Sequence, residues 1–175
     1  TGRLFAIPTL SSDHSDSFRI EFDSQKVPIS NWTIFMPDSV ASKLKQIALR
    51  DPTIETGGIL LGHTDRQKRH FYVVDSIECE GARTGNGFLR FPSNIRYMLA
   101  VVEKSAAGMI HYVGEWHSHP RGVGCNPSHI DRVTMADLAT SLIGDRFPAF
   151  CAISNGKESA FHIFEHRSRE VDHET

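Results

Sequence analysis

Apolar positions along this chain fall into short runs whose spacing switches between strand-like and helix-like periods. Phe18-Arg19-Ile20-Glu21-Phe22 alternates apolar and charged residues, as an edge strand does. Trp32-Thr33-Ile34-Phe35-Met36 is strand-like, and Pro37-Asp38-Ser39 then opens a helix with Val40, Leu44, Ile47 and Ala48 on one stripe. That helix should stop before Asp51-Pro52, because the residue ahead of a proline is pushed out of the α region. Gly57-Gly58-Ile59-Leu60-Leu61-Gly62 is too apolar to have a solvent face and predicts a buried strand. A polar turn at 65–69 leads into a strand over 70–80, with Phe71, Val73 and Val74 apolar. Residues 81–87 read as loop, 88–91 as a further short strand, and 92–106 as a helix with Ile95, Leu99 and Val102 on one face. A strand over 109–116 follows, then a helix over 128–143 with Ser128 as its N-cap and Asp131 in the first turn. Residues 147–154 and 159–164 predict a hairpin across Asn155-Gly156.

This order of elements predicts one α/β (α+β) domain, a mixed sheet with helices packed on it. The core domain is expected over 18–164, between a flexible arm at 1–17 and a charged tail at 165–175. The arm holds the apolar patch Leu4, Phe5 and Ile7, then a polar run over 11–17. The chain of 175 residues begins at Thr1, as a domain cut from a larger parent protein would. Hydrophobic content of 39% and charged content of 23% are those of an ordinary globular protein. A net charge of −2 gives no electrostatic footprint for nucleic acid. No apolar run approaches a membrane span, and no secretory signal is visible. The three cysteines are odd in number and widely spaced, which argues against a disulfide framework. A cytoplasmic protein is the expectation.

The chemistry is concentrated in fifteen residues, 117–131. His117-Ser118-His119-Pro120 places two imidazoles on one face of an extended strand. After a loop rich in glycine and proline, Ser128-His129-Ile130-Asp131 brings back a carboxylate. Taken alone, a strand-borne His-x-His is often a pair of half-exposed histidines, and Ser-x-x-Asp is an acidic capping box. Their joint occurrence favours a metal site in which His117, His119 and Asp131 leave a fourth position open, the pattern of a catalytic zinc (Zn2+).

A hydrolytic zinc also needs a carboxylate base that is not itself a ligand. Glu55, ahead of the glycine-rich strand, and Glu115, two residues before His117, both qualify on local chemistry. Cys125 lies in the loop beside the site, as a transient fourth ligand or a plain loop residue. His63, His70, His111, His162 and His166 read as surface or hydrogen-bonded residues. No cysteine has the context of a nucleophile.

Glu55-Thr56-Gly57-Gly58-Ile59-Leu60-Leu61-Gly62, then Gly114-Glu115-Trp116-His117-Ser118-His119-Pro120, then Ser128-His129-Ile130-Asp131, resembles the JAMM metallopeptidases of the MPN superfamily. The resemblance runs over 32–164 in the family's order. It implies an MPN/JAB-like, cytidine-deaminase-like fold. It also implies that Glu55 is the general base, that His117, His119 and Asp131 bind zinc, and that Ser128 donates a hydrogen bond to the oxyanion. One departure is the loop of eleven residues between His119 and Asp131, one longer than the family usually has.

The implied activity is cleavage of a peptide or isopeptide bond at the C-terminus of a ubiquitin or ubiquitin-like protein. Eukaryotic members grip ubiquitin with inserted segments. The tight hairpin at Asn155-Gly156 leaves no room for the later one, so the chain is similar to the compact prokaryotic members. Many of these share operons with activating (E1-like) and conjugating (E2-like) proteins, including anti-phage systems such as CBASS. The partner implied is therefore a ubiquitin-like or conjugated protein with an extended C-terminal tail. Residues 85–91 are a candidate edge on which such a tail could add as a strand. Two alternatives stay open: processing of a sulfur-carrier protein in cofactor biosynthesis, and an MPN scaffold without hydrolysis.

Overall fold

A computed structural model describes residues 4–5, 19–20, 24–79, 81–84, 87–90, 97, 99–102, 104, 106, 108–142 and 147–165. The strands are β1 (Leu4–Phe5), β2 (Arg19–Ile20), β3 (Ser24–Ile29), β4 (Trp32–Pro37), β5 (Gly57–Asp65) and β6 (His70–Glu78). Beyond these come β7 (Gly81–Thr84), β8 (Gly87–Arg90), β9 (His111–Ser118), β10 (Ala149–Ser154) and β11 (Ser159–Phe164). Helix α1 spans Asp38–Arg50 and helix α2 spans His129–Ser141. Further helical positions fall at 97, 99–102 and 104.

Seven strands form one sheet in the order β11-β10-β9-β5-β6-β4-β3. Its neighbours are antiparallel except β10 with β9 and β6 with β4. This is the mixed, mainly antiparallel sheet that the alternation of apolar runs implied. Residues directly across a ladder share a face, so the register assigns each face its contents. One face holds Leu60, Trp116, Phe150 and Ala152 and is covered by the apolar stripe of α1, Val40, Ala41, Leu44 and Ile47. Lys43 of α1 reinforces this packing through its Nζ, which donates to the Asp75 carboxylate at 2.7 Å and to the Ser76 carbonyl at 2.6 Å. The other face is covered by α2, whose Met135 and Ala139 pack on Ala149, Cys151 and Ile153. Beside it, Leu99 and Val102 pack on Ile59, Leu61 and Cys79. A two-sided cover explains why β5 and β10 are apolar on both faces.

Gly58 shows why the first half of β5 is rich in glycine. The Trp116 indole lies across it and donates Nε1–H to the Ile77 carbonyl at 3.2 Å. A Cβ at position 58 would collide with that carbonyl and meet Nε1 at 3.0 Å. The fully buried Trp116 therefore needs a residue without a side chain beneath it.

Several boundaries differ from the sequence expectation. β3 opens on the polar run Ser24-Gln25-Lys26, alternates only at Val27 and Ile29 and includes Pro28, so the pattern at 24–29 announces a strand weakly; the proline is tolerated because β3 is the edge of the sheet. Of the strand expected at 18–22 only Arg19–Ile20 is described, and it pairs with Leu4–Phe5 of the expected arm. The other residues of that arm, and the tail beyond Glu165, lie outside the described residues. Residues 81–84, expected as loop, pair antiparallel with 87–90. The hairpin between β10 and β11 closes through the four residues 155–158, where the sequence places the gap between the two strands. Gly156 there has φ +83°, which a side chain resists. In the expected helix over 92–106, the positions other than 97, 99–102, 104 and 106 lie outside the described residues. Among the described residues no helix is long and apolar enough to cross a membrane.

Candidate metal centre

β9 ends two residues further than its apolar pattern suggests, at Ser118, so His117 lies within the strand and His119 just beyond it. The His119 backbone still follows the ladder, donating its N–H to the Ser154 carbonyl at 2.8 Å. The two side chains consequently remain on one side, with their Nε2 atoms 3.2 Å apart. Both residues are buried.

Asp131 reaches the same point from the first turn of α2. Ser128 caps that helix: its Oγ accepts from the Asp131 N–H at 3.2 Å, while Asp131 Oδ2 accepts from the Ser128 N–H at 2.7 Å. The carboxylate held in this way lies 3.3 Å from His117 Nε2 through Oδ1 and 3.5 Å from His119 Nε2 through Oδ2. Burial opposes its negative charge, but hydrogen bonds from both histidines outweigh that and hold its pKa below the ordinary carboxylate range. The His119 pKa is raised, chiefly by its hydrogen bond to Asp131.

These three separations decide whether a metal fits. A tetrahedral zinc with bonds of about 2.0–2.1 Å holds its donors about 3.3–3.4 Å apart. The Nε2–Nε2 separation of 3.2 Å matches that figure, and each imidazole has an Asp131 oxygen near it, Oδ1 at 3.3 Å from His117 and Oδ2 at 3.5 Å from His119; one donor atom from each residue lies within 4.8 Å of the other two. Among the described residues this trio is the group of His, Cys, Asp and Glu close enough to share one ion. The tautomers suit it as well. His119 Nδ1 donates to the Gly124 carbonyl at 2.7 Å, so once the proton that Nε2 shares with Asp131 is given up, the Nε2 lone pair is available to an ion. His117 Nδ1 faces Cys151 Sγ at 3.7 Å.

The segment carrying Glu55 is pinned to the end of β9. Thr56 accepts at its carbonyl from the Ser118 N–H at 2.7 Å and donates its own N–H to Ser118 Oγ at 2.9 Å. The Arg121 N–H donates to the Pro52 carbonyl at 2.8 Å. Glu55 is half-buried, and that burial raises its pKa; charge on His117 and His119 pulls it back, while Asp131 pushes it up. Its carboxyl thus senses all three members of the trio without belonging to it. Glu115 shares the face of His117 but sits one pleat back along β9, opposite Ile59 and Cys151.

Cys125 is buried and is not one of the clustered donors; its Sγ donates to the Glu158 carbonyl at 3.5 Å, and burial pushes its pKa up. His162 is hydrogen-bonded, as expected, but its partner is the Cys125 carbonyl at 2.8 Å, in the loop of the metal trio. His70 Nδ1 meets the Tyr72 hydroxyl at 2.9 Å, the His63 and His111 rings lie 5.6 Å apart, and His166 is outside the described residues. The sequence reading passed over Ser118, Gly124, Cys151 and Asn155. Ser118, Cys151 and Asn155 act through contacts between distant strands or loops, for which local spacing carries no signal, and the Gly124 carbonyl meets His119 through the turn of the intervening loop.

A curated protein from Enterobacter hormaechei subsp. hoffmannii (strain UCI 50), the "CD-NTase/cGAS isopeptidase", is 27% identical over 110 residues, 63% of this chain. The chain spans 60% of the length of that relative. Among solved structures, the solution structure of protein DSY2949 from Desulfitobacterium hafniense matches with a TM-score of 0.47 and 16% identity, over 78% of this chain and 94% of that one. Residues 37–168 match the family described as prokaryotic homologs of the JAB domain. That match takes in all of β5, β9 and α2, and with them every residue of the trio and Glu55; the chain belongs to the prokaryotic JAB-domain family.

Proposed function

We propose that the chain is a zinc-dependent isopeptidase that cleaves the amide between the C-terminal tail of one protein and a lysine of another. The substrate class is the one in the name of the Enterobacter relative, a conjugate involving a CD-NTase. The observation that carries the reading is the convergence of His117 Nε2, His119 Nε2 and the Asp131 carboxylate, one donor atom of each within 4.8 Å of the other two, beside the half-buried Glu55. His117, His119 and Asp131 would hold the ion. Bound there, zinc would act as a Lewis acid on the scissile carbonyl and make water a nucleophile at neutral pH.

Each protein group then has a defined task. Glu55 takes a proton from the attacking water and returns it to the departing lysine amine. Its raised pKa makes it a stronger base for the first of these transfers. Ser128, whose Oγ already accepts from the Asp131 N–H, uses its hydroxyl hydrogen as donor to the carbonyl oxygen as charge develops there. The substrate's tail must lie extended to bring its last carbonyl to the site. The strand pair β7–β8 is a candidate edge for it, and a conjugate assembled by activating (E1-like) and conjugating (E2-like) proteins in the cytoplasm would supply such a tail.

The test is cleavage of an isopeptide-linked CD-NTase conjugate by the purified chain. Phenanthroline should abolish cleavage and added zinc should restore it. Iodoacetamide should leave it unchanged, because all three cysteines are buried and none has a role in the reaction. Cleavage that survives full zinc removal, or that is lost on alkylation with zinc retained, would overturn the proposal.

A further inference from the structure

The loop between His119 and α2 has an unusual arrangement of acceptors. Three consecutive carbonyls, of Val123, Gly124 and Cys125, each accept from a side-chain N–H. Asn155 Nδ2 donates to Val123 at 2.9 Å, His119 Nδ1 to Gly124 at 2.7 Å, and His162 Nε2 to Cys125 at 2.8 Å. The middle bond orients a residue of the metal trio; the outer two come from the β10–β11 hairpin.

The donors are fixed from behind. Asn155 Oδ1 accepts from the Lys157 and Glu158 N–H groups at 3.1 and 3.0 Å, so the amide can be turned only one way, with Nδ2 toward the loop. His162 stands opposite Cys151 on the neighbouring strand, and burial lowers its pKa. The start of the loop is held by the Arg121 N–H on the Pro52 carbonyl and the Val123 N–H on the Pro120 carbonyl. Residues 121–124 are exposed, and a Cβ at Gly122 or Gly124 would meet nothing within 4 Å. Glycine peptides in open space turn readily, and a turned Gly124 peptide would take its carbonyl away from His119.

We infer that Asn155 and His162 are positioning residues of the metal centre: by gripping the carbonyls on either side, they aim the Gly124 carbonyl at His119 Nδ1 and so fix the direction of His119 Nε2. The inference rests on the zinc reading above. A glycine-bearing loop of eleven residues needs an external clamp to present one carbonyl accurately. Partners that orient a metal-bound histidine typically change metal affinity about 10–100-fold when lost.

The test uses three variants of the whole chain, Asn155→Asp, His162→Ala and His162→Gln. Asn155→Asp keeps the oxygen that closes the hairpin turn and removes the donor to Val123, together with the longer contact from Nδ2 to Glu158 Oε1 at 3.5 Å. His162→Gln keeps an N–H in the place of Nε2–H. Two quantities are read: the zinc dissociation constant, by competition with a chromophoric chelator, and the visible spectrum of the cobalt-substituted protein. Asn155→Asp and His162→Ala should each weaken zinc about 10-fold or more and alter the cobalt bands, and His162→Gln should recover most of both. Unchanged affinity and spectrum in the first two variants, with one zinc on the wild-type chain, would overturn the inference alone. A wild-type chain that takes up no zinc would overturn the metal reading and the inference with it.

Discussion

Glu55→Gln is expected to lower cleavage by about 10²–10⁴-fold, the loss typical of a missing general base, while zinc content and fold stay as in the wild type. Glutamine fills the same space and keeps an acceptor oxygen, so the bonds from Ser118 and Arg121 that pin this segment have no reason to change. Zinc should be retained because Glu55 is not one of the three clustered donors. Glu115→Gln is the necessary comparison. It removes a carboxylate on the same face as His117, one pleat back and opposite Ile59 and Cys151, where it is poorly placed to reach a substrate entering from the loop side. Cleavage should therefore fall far less. An inactive Glu115→Gln beside an active Glu55→Gln would reverse the assignment of the base.

His119→Ala is expected to reduce zinc from about one ion per chain to a trace, measured by elemental analysis after dialysis against zinc-free buffer. Removing one of three protein donors leaves two, too few for tight binding at a site that keeps a further position for substrate. The substitution also withdraws the donor to the Gly124 carbonyl and one of the histidine hydrogen bonds on the Asp131 carboxylate. Asp131 retains its capping bond to the Ser128 N–H, so α2 should keep its first turn and the far-ultraviolet dichroism should be unaltered. Equal zinc in wild type and variant would exclude His119 as a ligand.

The metal trio was legible in the sequence because its three members lie on consecutive elements. A strand end and the next helix start are read from alternation and from a cap, and fifteen residues contain both. The carboxyl partner was less legible. Glu55 meets the site through bonds between Thr56 and Ser118, 62 positions apart, and only register brings them together; on residue chemistry alone Glu115 competed on equal terms. The clamp on the loop was invisible for the same reason. Asn155 and His162 reach Val123 and Cys125 only once β10 lies parallel to β9 and β11 pairs with β10, and no local period encodes a parallel neighbour. Asn155-Gly156 did mark the hairpin. Its asparagine closes a four-residue loop through Oδ1, however, and turns its amide outward. The fold was read best where both faces of a strand are buried, as in β5 and β10, and least well at edges such as β3, where neither apolar period nor turn residues are required.

The central claim is that one ion sits between His117, His119 and Asp131. Anomalous diffraction at the zinc edge, from crystals of the zinc-loaded chain, tests it most directly. The account predicts a single strong peak about 2.0–2.1 Å from His117 Nε2, from His119 Nε2 and from an oxygen of Asp131. No peak at that point in a protein shown to contain zinc, or a peak bound elsewhere on the chain, would contradict it.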